Sequence, residues 1–229
     1  MDHLIIVAGG KGLRMGGEIP KQFMLLGNEP ILMRTIRRFH SFSPDLDIIL
    51  VLPADQQGYW HELTEKYGFN RKVRIANGGD TRYQSVKNGL ALIDDDDSKG
   101  VVGVHDGVRP LITADLIGRC FDGARSHDMC IPVIPVTDTL YHVGEGTVQR
   151  ADYRLVQTPQ CIRLGIMRKA YDQPFSDQFT DDASVCAPFV ESETYIDGEP
   201  TNIKITRPLD MALAEAILKE QQEKTDCRC

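Results

Sequence analysis

Leu4-Ile5-Ile6-Val7-Ala8-Gly9-Gly10-Lys11-Gly12-Leu13-Arg14-Met15-Gly16-Gly17 is the stretch that decides the fold. Its first four residues form a short apolar run of the kind that makes a strand buried on both faces. The glycine-dense turn that follows exposes backbone N–H groups able to hold a phosphate. Arg14, and Lys21 in the following Ile19-Pro20-Lys21-Gln22, add two cations to the same loop. This suits a polyphosphate whose charge must be neutralised while one of its bonds is exchanged. Two other glycine signatures fail. A dinucleotide fingerprint needs G-x-G-x-x-G, but Met15 stands three residues after Gly12. A P-loop needs G-x-x-x-x-G-K-[ST], and Gly12 follows Lys11. A plain strand-to-helix turn would need neither the five glycines between Gly9 and Gly17 nor the interleaved cations.

Outward from this stretch the chain alternates. Ile48–Leu52, Lys72–Ala76 and Val101–His105 read as further strands. Ile31–Phe42, Gln56–Tyr67 and Tyr83–Ile93 carry apolar residues at helical spacing. Thr113 reads as the N-cap of a helix running to about His127, and Pro208 as a first-turn residue of a C-terminal helix. The fold class expected is therefore α/β, a mostly parallel sheet with helices on both faces, in a single domain over residues 1–229. Ligands of such sheets bind at the carboxyl ends of the strands. The alternation breaks at about 136–156, where Thr137–Val143, Gly144-Glu145-Gly146 and Thr147–Arg150 read as a hairpin and as an arm for a second subunit.

Composition narrows the function. With 41% hydrophobic and 26% charged residues, the 229-residue chain can bury an ordinary core. A net charge of -7 argues against a general nucleic-acid surface, so an anionic substrate must be met by a local cluster of cations. No apolar run approaches the roughly eighteen residues that span a bilayer, and Asp2 with a short apolar run is not a signal peptide. The six cysteines lack paired metal spacing and read as reduced thiols, so the expectation is a cytoplasmic protein with no membrane partner. Asp94–Asp97, followed by Ser98-Lys99-Gly100, reads as a solvated loop.

Three more segments carry chemistry. In Gly78-Gly79-Asp80-Thr81-Arg82-Tyr83-Gln84-Ser85, glycines let a flat base approach the backbone, while Asp80 and Ser85 offer polar partners for base or ribose. Asp80 or Thr81 also reads as an N-cap. In Val104-His105-Asp106-Gly107-Val108-Arg109-Pro110, a lone carboxylate ends a strand, which suits Mg²⁺ bound together with phosphate oxygens. Arg109, three residues on, can fork onto a phosphate or close an Asp–Arg turn that only fastens the loop, and His105 reads as packed beside the strand. In Asn202–Pro208, Lys204 reads as part of a short strand before the last helix.

Taken in order, A-G-G-K-G-L-R-M with P-K-Q, G-G-D-T-R-Y-Q-S-V, V-H-D-G-V-R-P, P-V-T-D-T, Q-T-P-Q, T-D-D-A-S and N-I-K-I-T-R-P resemble the 2-C-methyl-D-erythritol 4-phosphate cytidylyltransferase family of non-mevalonate isoprenoid biosynthesis. The resemblance runs from Ile5 to about Leu218. It implies a Rossmann-like nucleotidyltransferase fold, a homodimer made through the arm, and CTP plus methylerythritol phosphate giving a CDP-alcohol and pyrophosphate with Mg²⁺. By the same resemblance, Arg14, Lys21 and Lys204 are the catalytic cations. Ala8, Gly9, Gly10, Gly79, Asp80, Ser85 and Asp106 hold the nucleotide, and Asp106 is associated with the metal. Arg109, Thr139, Arg150, Thr158 and Thr180 surround the second substrate, and Thr139 and Arg150 in the arm reach the partner subunit's site.

In-line attack of one phosphate on another needs no protein nucleophile, only cations and a metal that spread the charge, so the lack of a Ser–His–Asp or Cys–His arrangement is expected. The spelling Ala8-Gly9-Gly10, where the family often has A-A-G, leaves ribitol 5-phosphate as an alternative substrate. A nicotinamide-dependent oxidoreductase and a non-catalytic nucleotide-binding module are the readings from other classes.

Overall fold

The computed structural model describes residues 1–10, 19–94 and 100–226. Strand β1 (His3–Val7) is followed by a short antiparallel pair, β2 (Leu25–Leu26) and β3 (Glu29–Pro30), and by helix α1 (Ile31–Phe42). The alternation continues with β4 (Asp47–Leu52), α2 (Ala54–Lys66), β5 (Arg74–Asn77), α3 (Arg82–Leu90), β6 (Val101–Asp106), α4 (Ala114–Ser126) and β7 (Met129–Pro135). A small hairpin, β8 (Leu140–His142) and β9 (Gly146–Val148), precedes β10 (Arg154–Val156), β11 (Gln160–Arg163), α5 (Leu164–Asp172), α6 (Asp182–Cys186), β12 (Glu193–Asp197) and α7 (Pro208–Asp226).

Eight of these strands make one sheet around β1. β1 pairs in parallel with β4 on one side and β6 on the other, and β5 extends the sheet beyond β4. Past β6 the direction reverses. β11 runs antiparallel between β6 and β7, β10 continues it along the same edge of β7, and β12 lies parallel on the other edge. The alternate residues of β1 explain why helices cover both faces. Leu4 and Ile6 join a core with residues of α1, α2 and α4, whereas Ile5 joins one with residues of α3, α5 and α6. A one-residue slip would exchange these sets, so the register is firmly set. It places Val7 opposite Asp106, which brings the end of the first motif beside the third. β1 is also where strand order reverses, the place at which open α/β sheets bind ligands.

The helix starts follow from their caps. Thr113 Oγ1 accepts from Leu116 N, and Thr81, rather than Asp80, caps α3 by accepting from Gln84 N. Asp80 is thereby left to the surface of the turn. Two expectations change. Residues 202–206 form no strand; Ile205 N donates to Val108 O, and its side chain packs in a third core with Leu26, Ile31 and residues of α7. The hairpin at 140–148 is a separate two-stranded unit as the glycine turn requires, but Arg154–Val156, assigned to the arm, pairs with Ile134 and its neighbours in the main sheet. Backbone pairing of Leu155 with Ile134 and of Val156 with Val133 makes that return, while the Leu155 and Val156 side chains stay exposed.

Candidate active site

The glycine motif, the Gly79 turn, the end of β6 and the segment before α7 converge on one cleft of about 280 Å³ at the carboxyl ends of β1 and β6. Ala8, Gly9, Gly10, Lys21, Gly79, Asp80, Ser85, Asp106 and Lys204 all line it. Arg14 lies outside the described residues.

One glycine is sterically required and a second is closely approached. A Cβ on Gly79 would lie 2.3 Å from Gln84 Cγ, so the turn closes onto α3 only without a side chain there. A Cβ on Gly10 would lie 3.2 Å from Lys21 Cε, so Lys21 crosses the loop where glycine leaves room. Ser85 completes the turn, its Oγ accepting from Gly79 N at 3.1 Å and donating to Thr81 O at 2.9 Å. Gln22 holds the other wall. Buried, it donates through Nε2 to Ala8 O at 2.8 Å and to Gln56 Oε1 at 2.6 Å, pinning the end of β1 to α2.

Asp106 is the electrostatic centre. Its Oδ1 accepts from Lys204 Nζ at 3.1 Å, and its Oδ2 accepts from Arg109 Nε at 3.0 Å. Burial pushes this carboxyl up, but Lys204, then Arg109 and Arg82, outweigh it and hold it well below the usual carboxylate range. These cations favour its ionised form. Behind it lies a lock: Thr158 Oγ1 accepts from Asp106 N at 3.1 Å and donates to His105 Nδ1 at 2.9 Å. His105 Nε2 donates to Arg109 O at 3.2 Å, which fixes the neutral tautomer, and the ring packs edge-on against Phe39. Burial pushes His105 down to about 4 against the pull of Asp106.

These neighbours test the expected metal. Among the described residues no group of three His, Cys, Asp or Glu side chains could hold an ion by itself. The cleft offers the carboxylates of Asp106 and Asp80 as hard oxygen donors. That donor set fits a cation such as Mg²⁺, which takes one or two carboxylates and completes its shell with substrate phosphate and water.

A sequence model of the 2-C-methyl-D-erythritol 4-phosphate cytidylyltransferase family matches residues 3–220. The chain belongs to this family. The 2-C-methyl-D-erythritol 4-phosphate cytidylyltransferase of Bacteroides fragilis is 51% identical over 217 residues, covering 93% of this chain and 98% of that protein. That of Phocaeicola vulgatus is 49% identical over 219 residues, covering 94% and 99%. Among solved structures, the Francisella tularensis enzyme of the same name superposes with a TM-score of 0.78 at 29% identity, over 95% of this chain and 100% of that one. Membership sets aside the nicotinamide-dependent and non-catalytic readings. The cytidylyltransferase family accounts for the Rossmann-like sheet and for a cleft rich in cations.

The residues expected around the second substrate of a cytidylyltransferase are more scattered. None of the five lines the cleft. Thr158 is buried with its hydroxyl engaged in the lock behind Asp106, so it supports the site from below. Arg109 fastens the loop instead of standing free: besides its bond to Asp106, its NH1 donates to Asn202 O at 2.8 Å. Thr139 and Arg150 are exposed at the base of the hairpin, where Arg150 donates to Thr137 O. Thr180 is exposed beside the capping box of α6, its N–H donating to Ser184 Oγ at 3.0 Å. Gln22 and Arg82, given no role from the sequence, are found in the cleft wall. Gln22 carried one signal, a polar side chain beside Phe23 and the cation Lys21 in P-K-Q.

Proposed function

We infer that this chain joins CTP and 2-C-methyl-D-erythritol 4-phosphate, giving 4-diphosphocytidyl-2-C-methyl-D-erythritol and pyrophosphate. The observation that carries the reading is the carboxylate of Asp106 at the end of β6, bonded to Lys204 Nζ in a cleft that Lys21 also lines, in a chain of this family.

The phosphate of the alcohol attacks the α-phosphorus of CTP, the new P–O–P bond forms as the bond to the β-phosphate breaks, and pyrophosphate leaves. The transition state carries spread negative charge, and fixed cations in a partly closed cleft stabilise it. Lys21 lies against Gly10 of the glycine loop, and Lys204 lines the same cleft, so both are available to the triphosphate. Arg14, from the same loop as Lys21, is the third cation of the reading. Gly79, Asp80 and Ser85 form the wall for cytosine and ribose, and Ala8–Gly10 the floor. Asp106 would hold a Mg²⁺ together with substrate phosphate oxygens, and the ion would neutralise phosphate charge as the two anions meet. Arg109 and Thr158 keep Asp106 in place, Thr180 belongs to the outer wall that receives the alcohol phosphate, and Thr139 and Arg150 reach that wall in the partner subunit.

The hairpin supports a homodimer. Tyr141 is 69% and Val143 88% exposed, and Tyr153, Leu155 and Val156 are exposed nearby. Apolar side chains concentrated on a projecting element are the mark of an interface, and the partner completed by Thr139 and Arg150 is a second copy of the chain. No described helix is long and apolar enough to cross a membrane. The four described cysteines are free and buried, in keeping with a reducing cytoplasm.

The test supplies Mg²⁺, each of the four nucleoside triphosphates, and either methylerythritol phosphate or ribitol 5-phosphate, and measures pyrophosphate. Release with CTP and methylerythritol phosphate is expected; release only with CTP and ribitol 5-phosphate overturns the substrate assignment.

A further inference from the structure

Arg82 joins two segments that are a hundred residues apart in the chain. It opens α3 on the nucleotide side and lines the cleft. One guanidinium nitrogen donates to Asp182 Oδ2 at 2.5 Å, and Asp182 is fully buried. The other carboxylate oxygen accepts the Tyr171 hydroxyl at 2.6 Å. Tyr83, next to Arg82, is bound to the same helix: its hydroxyl donates to Tyr171 O at 2.8 Å and to Gln173 O at 2.5 Å, with the rings stacked 4.8 Å apart. On the far side, Asp182 is the first residue of α6, directly after its cap Asp181 and two residues after Thr180. Asp181 in turn accepts from Gln160 Nε2 at 2.8 Å, and Gln160 stands two residues from Thr158, which holds Asp106.

A buried ion pair is a poor choice for a strap alone, because well-packed apolar residues give equal or better stability. This pair has its carboxylate sealed in the core and its guanidinium in the wall of the cleft, near enough to Asp106 for each to shift the other. Burial disfavours the charged guanidinium, but Asp182 outweighs it and keeps Arg82 a cation. Asp182 is therefore an anchor, and the geometry it fixes is that of the cleft wall.

We propose that Arg82 is a positioning residue for the second substrate. Anchored by Asp182 and Tyr171, it locks the Gly79–Ser85 turn, which takes the nucleotide, to the Thr180–Ser184 segment, which takes the alcohol phosphate. The two half-sites then meet at the spacing that in-line displacement requires. The proposal rests on the function inferred above and assigns a role to Arg82, Asp182 and Tyr171 within it.

The test compares Arg82→Gln, Asp182→Asn, the double variant and Arg82→Lys with the wild type. It reads KM for methylerythritol phosphate, kcat, the equilibrium Kd for CTP and the melting temperature. Each single loss of a charged, geometry-fixing hydrogen bond is expected to raise the alcohol-phosphate KM by about tenfold or more. The Kd for CTP stays near the wild-type value, the double variant is no worse than the worse single variant, and Arg82→Lys recovers part of the loss. If Asp182→Asn does not fold, Tyr171→Phe removes one hydroxyl from the same anchor and is expected to shift KM in the same direction. A parallel loss of CTP affinity, or an unmoved KM for methylerythritol phosphate with or without a fall in melting temperature, overturns the proposal while the functional reading stands. A wild-type protein inactive on this substrate pair overturns both.

Discussion

Acidification should loosen the site through His105 before it touches Asp106. In the folded protein the imidazole is neutral, with Nε2–H on Arg109 O and Nδ1 accepting the Thr158 hydroxyl. Its value is pushed from the ordinary 6.5 down to about 4, chiefly by burial. At about 1.4 kcal/mol per pH unit, that depression corresponds to roughly 3 kcal/mol of stability. Because the folded value lies below the unfolded one, the unfolded chain takes up the proton first. The contribution is complete above about pH 6.5, is lost as pH falls through the range toward 4, and does not fall further below it. Asp106 adds its own loss only at lower pH, because its folded value lies beneath the usual carboxylate range.

Protonation of Nδ1 also removes the acceptor for Thr158, whose hydroxyl holds Asp106 N. The assay is the urea-unfolding free energy of wild type and His105→Asn at several pH values between 7.5 and 4.5. The variant starts less stable, since it loses the contact with Phe39, so the slope and not the level is the readout. The wild type is expected to lose up to about 3 kcal/mol more than the variant across this range. Parallel curves for the two proteins would refute the reasoning, because the pH dependence would then belong to other groups.

Three further outcomes are expected. Lys21→Ala should lower kcat by a factor of about a hundred or more while the melting temperature stays near wild type, which steady-state kinetics with calorimetry will check; near-normal turnover in a folded variant removes Lys21 from the chemistry. Gly79→Ala should cost about 1–3 kcal/mol of stability and raise KM for CTP, because the new methyl meets Gln84 within bonding-like distance; an unchanged KM would mean the turn does not touch the nucleotide. Val143→Asp with Tyr141→Asp should shift the protein to monomer by sedimentation at micromolar concentration, and a variant that stays dimeric places the interface elsewhere.

The sheet and its helices were legible because burial leaves a local period. Ile48–Leu52 and Val101–His105 are short, β-branched apolar runs that read as strands packed on both faces, and the helices between them carry their apolar residues at i, i+3 and i+4. The site was legible as a set of segments, since each ends a strand or opens a helix. How the segments interlock was not. Lys204 looked like a strand residue because isoleucines flank it, yet Ile205 packs into the α7 core and its N–H donates to Val108 O without a ladder around it. Arg109 was legible as a phosphate fork or as the closure of a turn with Asp106 three residues before it, and the structure has the turn; its bond to Asn202, across ninety-three residues, could not be seen from spacing. The Arg82–Asp182 and His105–Thr158 pairs are of the same kind: each joins strands or helices whose adjacency is decided by sheet order. Polar partnerships between distant segments have no period, so only the folded chain displays them.

The central claim is that the cleft between Lys21, Asp106 and Lys204 exchanges the phosphate bond of CTP for one to methylerythritol phosphate. Its most direct test is a competition in one vessel: CTP, Mg²⁺ and equal amounts of methylerythritol phosphate and ribitol 5-phosphate, with the products identified by mass spectrometry and phosphorus NMR. The account predicts pyrophosphate together with the cytidine diphosphate ester of methylerythritol as the dominant product. A ribitol ester in excess, or no new diphosphate ester from either alcohol, would contradict it.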